Sequence, residues 1–175
     1  DRVIPMLPKE LSNGICRLNP NEDRLTLSVF MEIDKNGNVV DHEIVEGVIR
    51  SKARLIYDDV SNLLEDGNDE AFLEKEEIVK DLKLMEELAN ILREKRERRG
   101  SIDFDFPEAR IILDESGFPI EIEKEDRRIA NRMIEEFMLV CNETIAEYMY
   151  WAETPFLYRI HEEPDMEKIE SFNKL

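Results

Sequence analysis

The sequence is poor in the residues that most often build catalytic and metal centres. Its 175 residues include two cysteines, two histidines and six glycines. Cys16 and Cys141 form no CxxC pair and no Cys/His cluster, so a structural zinc site is not expected. His42 and His161 have no serine or cysteine motif nearby, which argues against a nucleophilic triad. The few glycines form neither a GxxxxGK[ST] phosphate loop nor a GxGxxG motif.

Positive charge and long apolar runs are also scarce. Against 42 acidic residues there are 24 lysines and arginines, giving a net charge of −18. Such a surface repels nucleic acid at long range, although it leaves room for a narrow local site. The sequence shows no signal peptide and no apolar run long enough to cross a membrane. The two thiols are therefore expected to be free and buried, in a reducing cytoplasm.

The length and hydrophobic content indicate a folded chain with a real core. Hydrophobic residues make up 42% of the sequence, and 175 residues suit a single domain. The sequence opens on "DRVIPMLPKEL", without an initiator methionine, and closes inside a helical pattern. We therefore expect residues 1–175 to be one segment of a longer protein.

Two stretches of the sequence predict β-hairpins. In the first, Leu25 to Met31 alternates apolar and polar residues, "DKNGN" supplies an Asn-Gly turn, and 39–53 returns as the partner strand. Met31 and Val40 are then expected to lie near each other. "DKNGN" also resembles the start of a calcium loop, but its glycine is in the wrong position, so a turn is favoured. The second hairpin joins "EARIILD" to "PIEIEK" through "ESGF".

The remaining pattern is helical. A short helix follows Pro8, another begins near Leu55, and a long amphipathic helix ends at Gly100. Its apolar stripe consists of Ile78, Leu82, Met85, Ala89 and Leu92. A final long helix spans about 126–150, and a short one lies within 161–172. The sequence thus predicts an α+β fold of antiparallel hairpins packed with long amphipathic helices.

Two polar features of the helices allow more than one interpretation. The basic run from Arg93 to Arg99 either complements its helix dipole or contacts phosphate. One half of the 126–150 helix is polar, and the other is apolar and includes Met138. The polar half carries Arg128, Asn131, Arg132, Glu135, Glu136 and Asn142. These side chains could hydrogen-bond a polar ligand such as a ribose, or they could form an ordinary solvated face.

Several separate motifs resemble one known family. "IPMLPKELSNGICRLNP", "SKARLIYDDV", "RRIANRMIEEFMLVCNETIAEYM" and "PFLYRIHEEPD" closely resemble the catalytic (RNB) domain of the ribonuclease II/ribonuclease R family, with the last favouring the ribonuclease R branch. The resemblance implies a processive 3′→5′ exoribonuclease. Such enzymes thread single-stranded RNA into a channel and use Mg²⁺ to release nucleoside 5′-monophosphates.

The resemblance also implies what this segment leaves out. The family's metal-binding aspartates, written roughly DxxxxxDxDDA, do not occur in the sequence. The late arginine segment that contacts the scissile phosphate does not occur either. We therefore expect the central part of an RNB domain that carries no catalytic or metal-binding residue and is inactive alone. In the full-length protein we expect a cytoplasmic enzyme with flanking RNA-binding domains.

Three residues match family positions that contact RNA. The resemblance implies that Phe104 stacks on the 3′-terminal base, with Phe106 as a rival that would face the same side. Glu135 matches the residue that reads the ribose, and Tyr57 matches the residue that distinguishes RNA from DNA. Arg128 and Arg132 are candidates for the channel wall.

Two alternative functions remain open from the sequence. The acidic helices and apolar stripes are also consistent with a protein-interaction domain that has no catalysis. The other alternative is a nuclease relative that binds RNA without cutting it. The upstream sequence distinguishes them, because only the nuclease requires an intact aspartate cluster.

Overall fold

The computed structural model describes residues 4–73, 75–103, 108–125 and 127–174. Within these ranges the chain forms two antiparallel hairpins and four α-helices. Their bounds are β1 Asp23–Ile33, β2 Val39–Arg50, α1 Tyr57–Asp66, α2 Glu76–Arg98, β3 Glu108–Leu113, β4 Pro119–Glu125, α3 Ile129–Trp151 and α4 Met166–Phe172. The predicted α+β class and the predicted order of hairpins and helices are confirmed. The short helix predicted after Pro8 is a π-helical turn, Glu10–Ile15.

The turn of the first hairpin is held by one aspartate and packs on α2. The Asp34 carboxylate accepts hydrogen bonds from the backbone N–H groups of Asn36 and Asn38, both at 2.8 Å. Gly37 has φ +82°, and a Cβ there would lie 3.2 Å from both the Ile91 carbonyl and the Lys95 Cβ. Only glycine fits both the backbone conformation and this close approach. The predicted turn is thus confirmed.

The register of this hairpin contains a β-bulge, which the sequence did not predict. Met31 pairs with His42, and Val40 falls at a bulge beside Ile33. A bulge adds one residue to one strand, which moves every later pair by one position. The second hairpin repeats the arrangement, because Asp114 caps its turn and the register again shifts between Ile112 and Leu113.

The hydrophobic core joins α1, α2 and α3 within the first of two compact units, Asp1–Cys141. Its buried residues are Val60, Leu63, Phe72, Leu82, Ala89, Ala130 and Met133. The predicted stripe of α2 is confirmed, since Leu82, Ala89 and Leu92 are buried and Ile78 and Met85 pack against the core. The cysteine prediction is wrong in part. Cys16 is exposed, because it follows a π-helical turn that buries no residue, and Cys141 is only partly buried.

Side chains of α1 cap the first turn of α3. The Glu65 carboxylate accepts from the Ile129 N–H at 2.8 Å, and the Ser61 hydroxyl accepts from the Ala130 N–H at 3.3 Å. Ser61 is completely buried, so this hydroxyl serves the helix end and not solvent. The start of α3 is therefore satisfied by a partner more than sixty residues earlier in the chain.

The second compact unit is Asn142–Leu175. In it α3 ends at Trp151, and α4 begins after Asp165, whose carboxylate accepts from the Glu167 N–H at 2.9 Å. None of the helices in the described part of the chain is long and apolar enough to cross a membrane.

Candidate functional site

Glu135 lies in the second turn of α3 with its side chain 41% exposed. Its Oε2 atom accepts hydrogen bonds from Arg127, from Nε at 3.1 Å and from Nη2. Oε1 receives no hydrogen bond from any residue that the structure describes. The carboxylate is thus fixed through one oxygen and keeps the other for a further donor.

Arg127 connects Glu135 to the segment after α2. Its Nη1 donates to the Asp103 carboxylate at 2.6 Å, and Arg93 of α2 donates to the other Asp103 oxygen at 3.2 Å. The hydrogen bond from Arg127 lowers the pKa of Asp103, although partial burial opposes the shift. The hydrogen bonds to Asp103 and Glu135 in turn raise the pKa of Arg127. Arg93, Asp103, Arg127 and Glu135 therefore form one chain of alternating charge.

A second ion pair lies one residue further along α3. Glu136 is only 4% exposed, and Arg96 donates to it from Nε at 3.1 Å and from Nη2 at 2.5 Å. Arg96 also donates to the Ser101 hydroxyl at 2.8 Å. The hydrogen bonds to Glu136 raise the pKa of Arg96. The predicted polar half of α3 is wrong at Glu136, because this carboxylate is buried against α2 and not solvated.

The apolar half of α3 also differs from the prediction. Met138 is exposed, whereas Ala130, Met133 and Val140 are buried. The buried face is rotated toward Glu136, whose carboxylate is paired with Arg96. Helical periodicity gives the spacing of a buried face, but the neighbouring helices select which face it is.

The basic run of α2 is occupied by internal acceptors. Lys95 donates to the Gly37 carbonyl at 3.0 Å, and Arg98 donates to the Asn36 carbonyl at 3.1 Å. Arg93 bonds to Asp103, which follows α2, and Arg96 bonds to Glu136 of α3. The run therefore fastens the first hairpin and α3 to the end of α2, so these four side chains are already paired within the chain.

The predicted channel arginines lie at the junction of α1 and α3. Arg128 donates to Glu65 at 2.7 Å, to Asn62 at 2.6 Å and to Asp66 at 2.9 Å. Burial acts to raise the pKa of Glu65, but hydrogen bonds from the Ile129 N–H and Arg128 outweigh it and lower the pKa. In the described part of the chain, Arg128 therefore engages α1 and is not bonded to Glu135.

Arg132 is the other predicted channel residue. Its Nε atom is buried and has no hydrogen-bond partner among the residues that the structure describes. Its charge contributes to the lowered pKa of Glu65, which associates it with the same α1 junction. The Nε donor is thus unused within the described part of the chain.

Of the two aromatic residues predicted to contact RNA, the structure describes Tyr57 but not Phe104. Tyr57 is the first residue of α1, and 51% of it is exposed. Phe104 and its rival Phe106 lie outside the described residues, and Asp103 is the residue directly before them.

The described residues do not provide a metal site. Among them, no group of three or more histidine, cysteine, aspartate or glutamate side chains is arranged to hold an ion. Magnesium would need several converging carboxylate oxygens, and the described residues do not provide them.

A family model decides the relationship to known proteins. The RNB domain model matches residues 1–175. The chain belongs to the RNB domain family. The resemblance seen in the sequence is therefore confirmed, and the RNB motifs around Glu135 fall on α3 as predicted.

The RNB chain is similar to bacterial ribonucleases R. It is 49% identical over 173 residues to Ribonuclease R 1 of Lactococcus lactis, covering 98% of this chain and 21% of that protein. It is 50% identical over 171 residues to Ribonuclease R of Thermotoga maritima, covering 97% of this chain and 24% of that protein. The chain thus spans about a quarter of the length of the relatives it matches.

A solved structure shares the fold. RNase R of Mycoplasma genitalium, in complex with ribose methylated single-stranded RNA, superimposes with a TM-score of 0.91 at 33% identity, covering 99% of this chain and 27% of that one.

The sequence did not predict the residues that pair with Glu135 and Glu136. Arg127, Asp103 and Arg93 surround Glu135, and Arg96 holds Glu136. The only sequence signal was the basic run that contains Arg93 and Arg96, but charge alone does not say which acids it meets.

Proposed function

We propose that this chain is the central part of the catalytic domain of a ribonuclease R-like enzyme. The full-length protein is a processive 3′→5′ exoribonuclease that hydrolyses single-stranded RNA to nucleoside 5′-monophosphates. The observation that carries this proposal is the match of the RNB domain to the whole chain, with ribonuclease R relatives near half identity. The RNA bound in the solved RNase R complex supports single-stranded RNA as the substrate.

Glu135 is the residue whose geometry best supports a role in reading RNA. Its carboxylate is fixed through Oε2, and its side chain is 41% exposed. The ribose 2′-hydroxyl is a hydrogen-bond donor that DNA lacks, and a fixed carboxylate oxygen is a suitable acceptor for it. Tyr57 and Phe104 complete the proposed set, with Tyr57 acting in RNA selection and Phe104 stacking on the 3′-terminal base. Arg128 and Arg132 line the proposed channel.

The chemistry requires parts outside this chain. We propose that the full-length protein holds Mg²⁺ with carboxylates beyond these 175 residues, and that flanking domains supply the basic surface that captures RNA. The net charge of −18 fits this division, because an acidic segment attracts RNA poorly by itself. The segment alone is then inactive, and the full-length enzyme acts in the cytoplasm.

The test compares RNA and DNA of the same sequence as substrates of the full-length protein with Mg²⁺. We expect 5′-monophosphates to be released far faster from RNA than from DNA, and weaker discrimination against DNA in Glu135→Gln. Glu147→Gln, an exposed glutamate further along the same helix, is the matched control and should discriminate normally.

The possible outcomes separate the three functions considered from the sequence. RNA binding without hydrolysis would indicate a nuclease relative that binds RNA without cutting it. Neither binding nor hydrolysis would favour a protein-interaction domain. Hydrolysis with unchanged discrimination in Glu135→Gln would retain the enzyme and remove Glu135 from the site.

A further inference from the structure

One guanidinium holds both Glu135 and Asp103. Arg127 bonds Glu135 through Nε and Nη2 and Asp103 through Nη1, so all three of its nitrogens are used. Both donors to Glu135 converge on Oε2, and none of the described residues donates to Oε1. The bonding pattern therefore orients the carboxylate while leaving one oxygen available.

We propose that Arg127 is a positioning residue that orients Glu135 to accept a hydrogen bond from a ribose hydroxyl of the substrate. This inference rests on the proposed function of Glu135. A partly exposed glutamate otherwise samples several rotamers, and a ligand must restrict that freedom when it binds. A fork of two N–H donors restricts it before the ligand arrives, and a lysine ammonium cannot reproduce that planar geometry.

Arg127 is itself held in place. Asp103 accepts from Arg127 at 2.6 Å and from Arg93 at 3.2 Å, so α2 anchors the carboxylate that anchors Arg127. Asp103 directly precedes Phe104, the residue proposed to stack on the terminal base. The ionic chain therefore connects the two proposed RNA contacts. Asp103 is next to Phe104 in the sequence, and its partner Arg127 also bonds Glu135.

A purely structural role explains the Arg96–Glu136 pair better than it explains the Arg127–Glu135 pair. Arg96 and Glu136 already join α2 to α3, and the Glu136 side chain is 5% exposed, against 41% for Glu135. Exposed ion pairs contribute little to folding stability, because water screens them and two side chains must be ordered. A partly exposed pair beside a buried one that already fastens α2 to α3 is better suited to ligand contact.

The test is a double-mutant cycle in the full-length protein, measured as kcat and KM on RNA and on DNA of the same sequence. The variants are Arg127→Gln, Glu135→Gln and the double variant. We expect each single variant to lower the RNA-to-DNA ratio of kcat/KM about tenfold, the size of one lost charge-assisted hydrogen bond. The double variant should lose no more than Glu135→Gln alone, because both changes remove the same interaction.

Two further variants make the result specific. Arg127→Lys keeps the positive charge but lacks the paired N–H donors of the guanidinium. It should therefore recover only part of the RNA-to-DNA ratio of kcat/KM. Arg50→Gln removes an exposed arginine that pairs with Asp23 in the first hairpin, and it should leave the ratio unchanged.

The outcomes distinguish this inference from the proposed function. An unchanged ratio in Arg127→Gln, with a lowered ratio in Glu135→Gln, would overturn the positioning role and leave the proposed function intact. Additive losses in the double variant would also overturn it. If the parent protein does not degrade RNA, or Glu135→Gln discriminates normally, the proposed function fails and the inference fails with it.

A melting curve for each variant guards against simple unfolding. If Arg127→Gln does not fold, Asp103→Asn takes its place. It removes the negative charge that anchors Arg127 and should lower the ratio in part, and a normal ratio in that variant would contradict the inference.

Discussion

Arg96 and Glu136, forty positions apart in the sequence, form the most buried ion pair in the described part of the chain. Arg96 Nη2 lies 2.5 Å from Glu136 Oε1, and the two side chains are 18% and 5% exposed. The Ser101 hydroxyl accepts from the same guanidinium, so the charge inside α2 and α3 is paired and hydrogen-bonded. This pair fixes which face of α3 meets the end of α2.

The first prediction concerns this pair. Glu136→Gln should lower the free energy of unfolding of the chain by about 3 kcal/mol, because it leaves the Arg96 charge buried without its counter-ion. Urea denaturation followed by circular dichroism measures the change. Glu94→Gln breaks the exposed 3.6 Å pair with Arg98 and should change the same quantity by about 0.5 kcal/mol or less. Equal effects in the two variants would show that burial of Glu136 does not matter.

The second prediction separates packing from backbone strain at two matching glycines. Gly37 and Gly117 have φ +82° and +84°, but only Gly37 faces atoms within 4 Å of an added Cβ. Gly117→Ala should cost about 1 kcal/mol of unfolding free energy from the left-handed backbone alone. Gly37→Ala should cost about 1 kcal/mol more, because its Cβ would crowd Ile91 and Lys95 of α2. Thermal denaturation of both variants tests the difference, and equal costs would contradict the contact between the turn and α2.

The third prediction is a pH dependence of the first hairpin. Hydrogen bonds from the Asn38 backbone and side chain lower the pKa of Asp34 from its ordinary value of 3.8. Since the folded-state pKa is lower than the unfolded one, the contribution to stability is complete above pH 3.8. It is lost as the pH falls through the lower, folded-state pKa.

The pH dependence can be read by NMR titration of the carboxyl groups. The Asp34 carboxyl should titrate below that of an unstructured aspartate, and the turn resonances of Asn36 and Asn38 should move with it. Asp34→Asn removes the titrating group and should abolish this part of the pH dependence. A normal pKa for Asp34 would refute the capping role.

The fourth prediction concerns the cap on α3. Glu65 accepts from the Ile129 N–H at 2.8 Å, so Glu65→Ala should speed hydrogen exchange of that amide by loosening the first turn. Asp66→Ala removes an acceptor that bonds Arg128 but no amide of α3, and it is the matched control. Exchange of the Ile129 amide should be faster in the Glu65 variant than in the Asp66 variant. The same rate in both would show that solvent, and not α1, satisfies this helix end.

The sequence predicted those features that depend on neighbours along the chain. The turn at Asp34 and Gly37 was readable because an Asn-Gly turn is specified by a few adjacent residues. The buried stripe through Leu82 and Ala89 was readable because helical spacing repeats every three to four residues. The family implied by the motif that contains Glu135 is confirmed, and the role of Glu135 itself stays a prediction.

The features that the sequence did not predict depend on residues brought together by folding. Met31 lies opposite His42, beyond a β-bulge at Val40, and nothing in the alternating pattern marks where the extra residue is accommodated. Leu25 and Leu27 lie on the apolar side of the alternating strand pattern, yet both are exposed in this chain. Burial depends on which other elements reach a face, and local sequence does not contain that information.

The sequence by itself determined where the helices and hairpins form and which family the chain belongs to, because both follow from local periodicity and contiguous motifs. Only the tertiary structure decided that Arg96 meets Glu136 and that Arg127 holds Glu135. Charged side chains are abundant in this sequence, and any arginine could pair with many acids. The packing of α2 against α3 selects among them, because a carboxylate is stable in the interior only where the fold brings a cation to it.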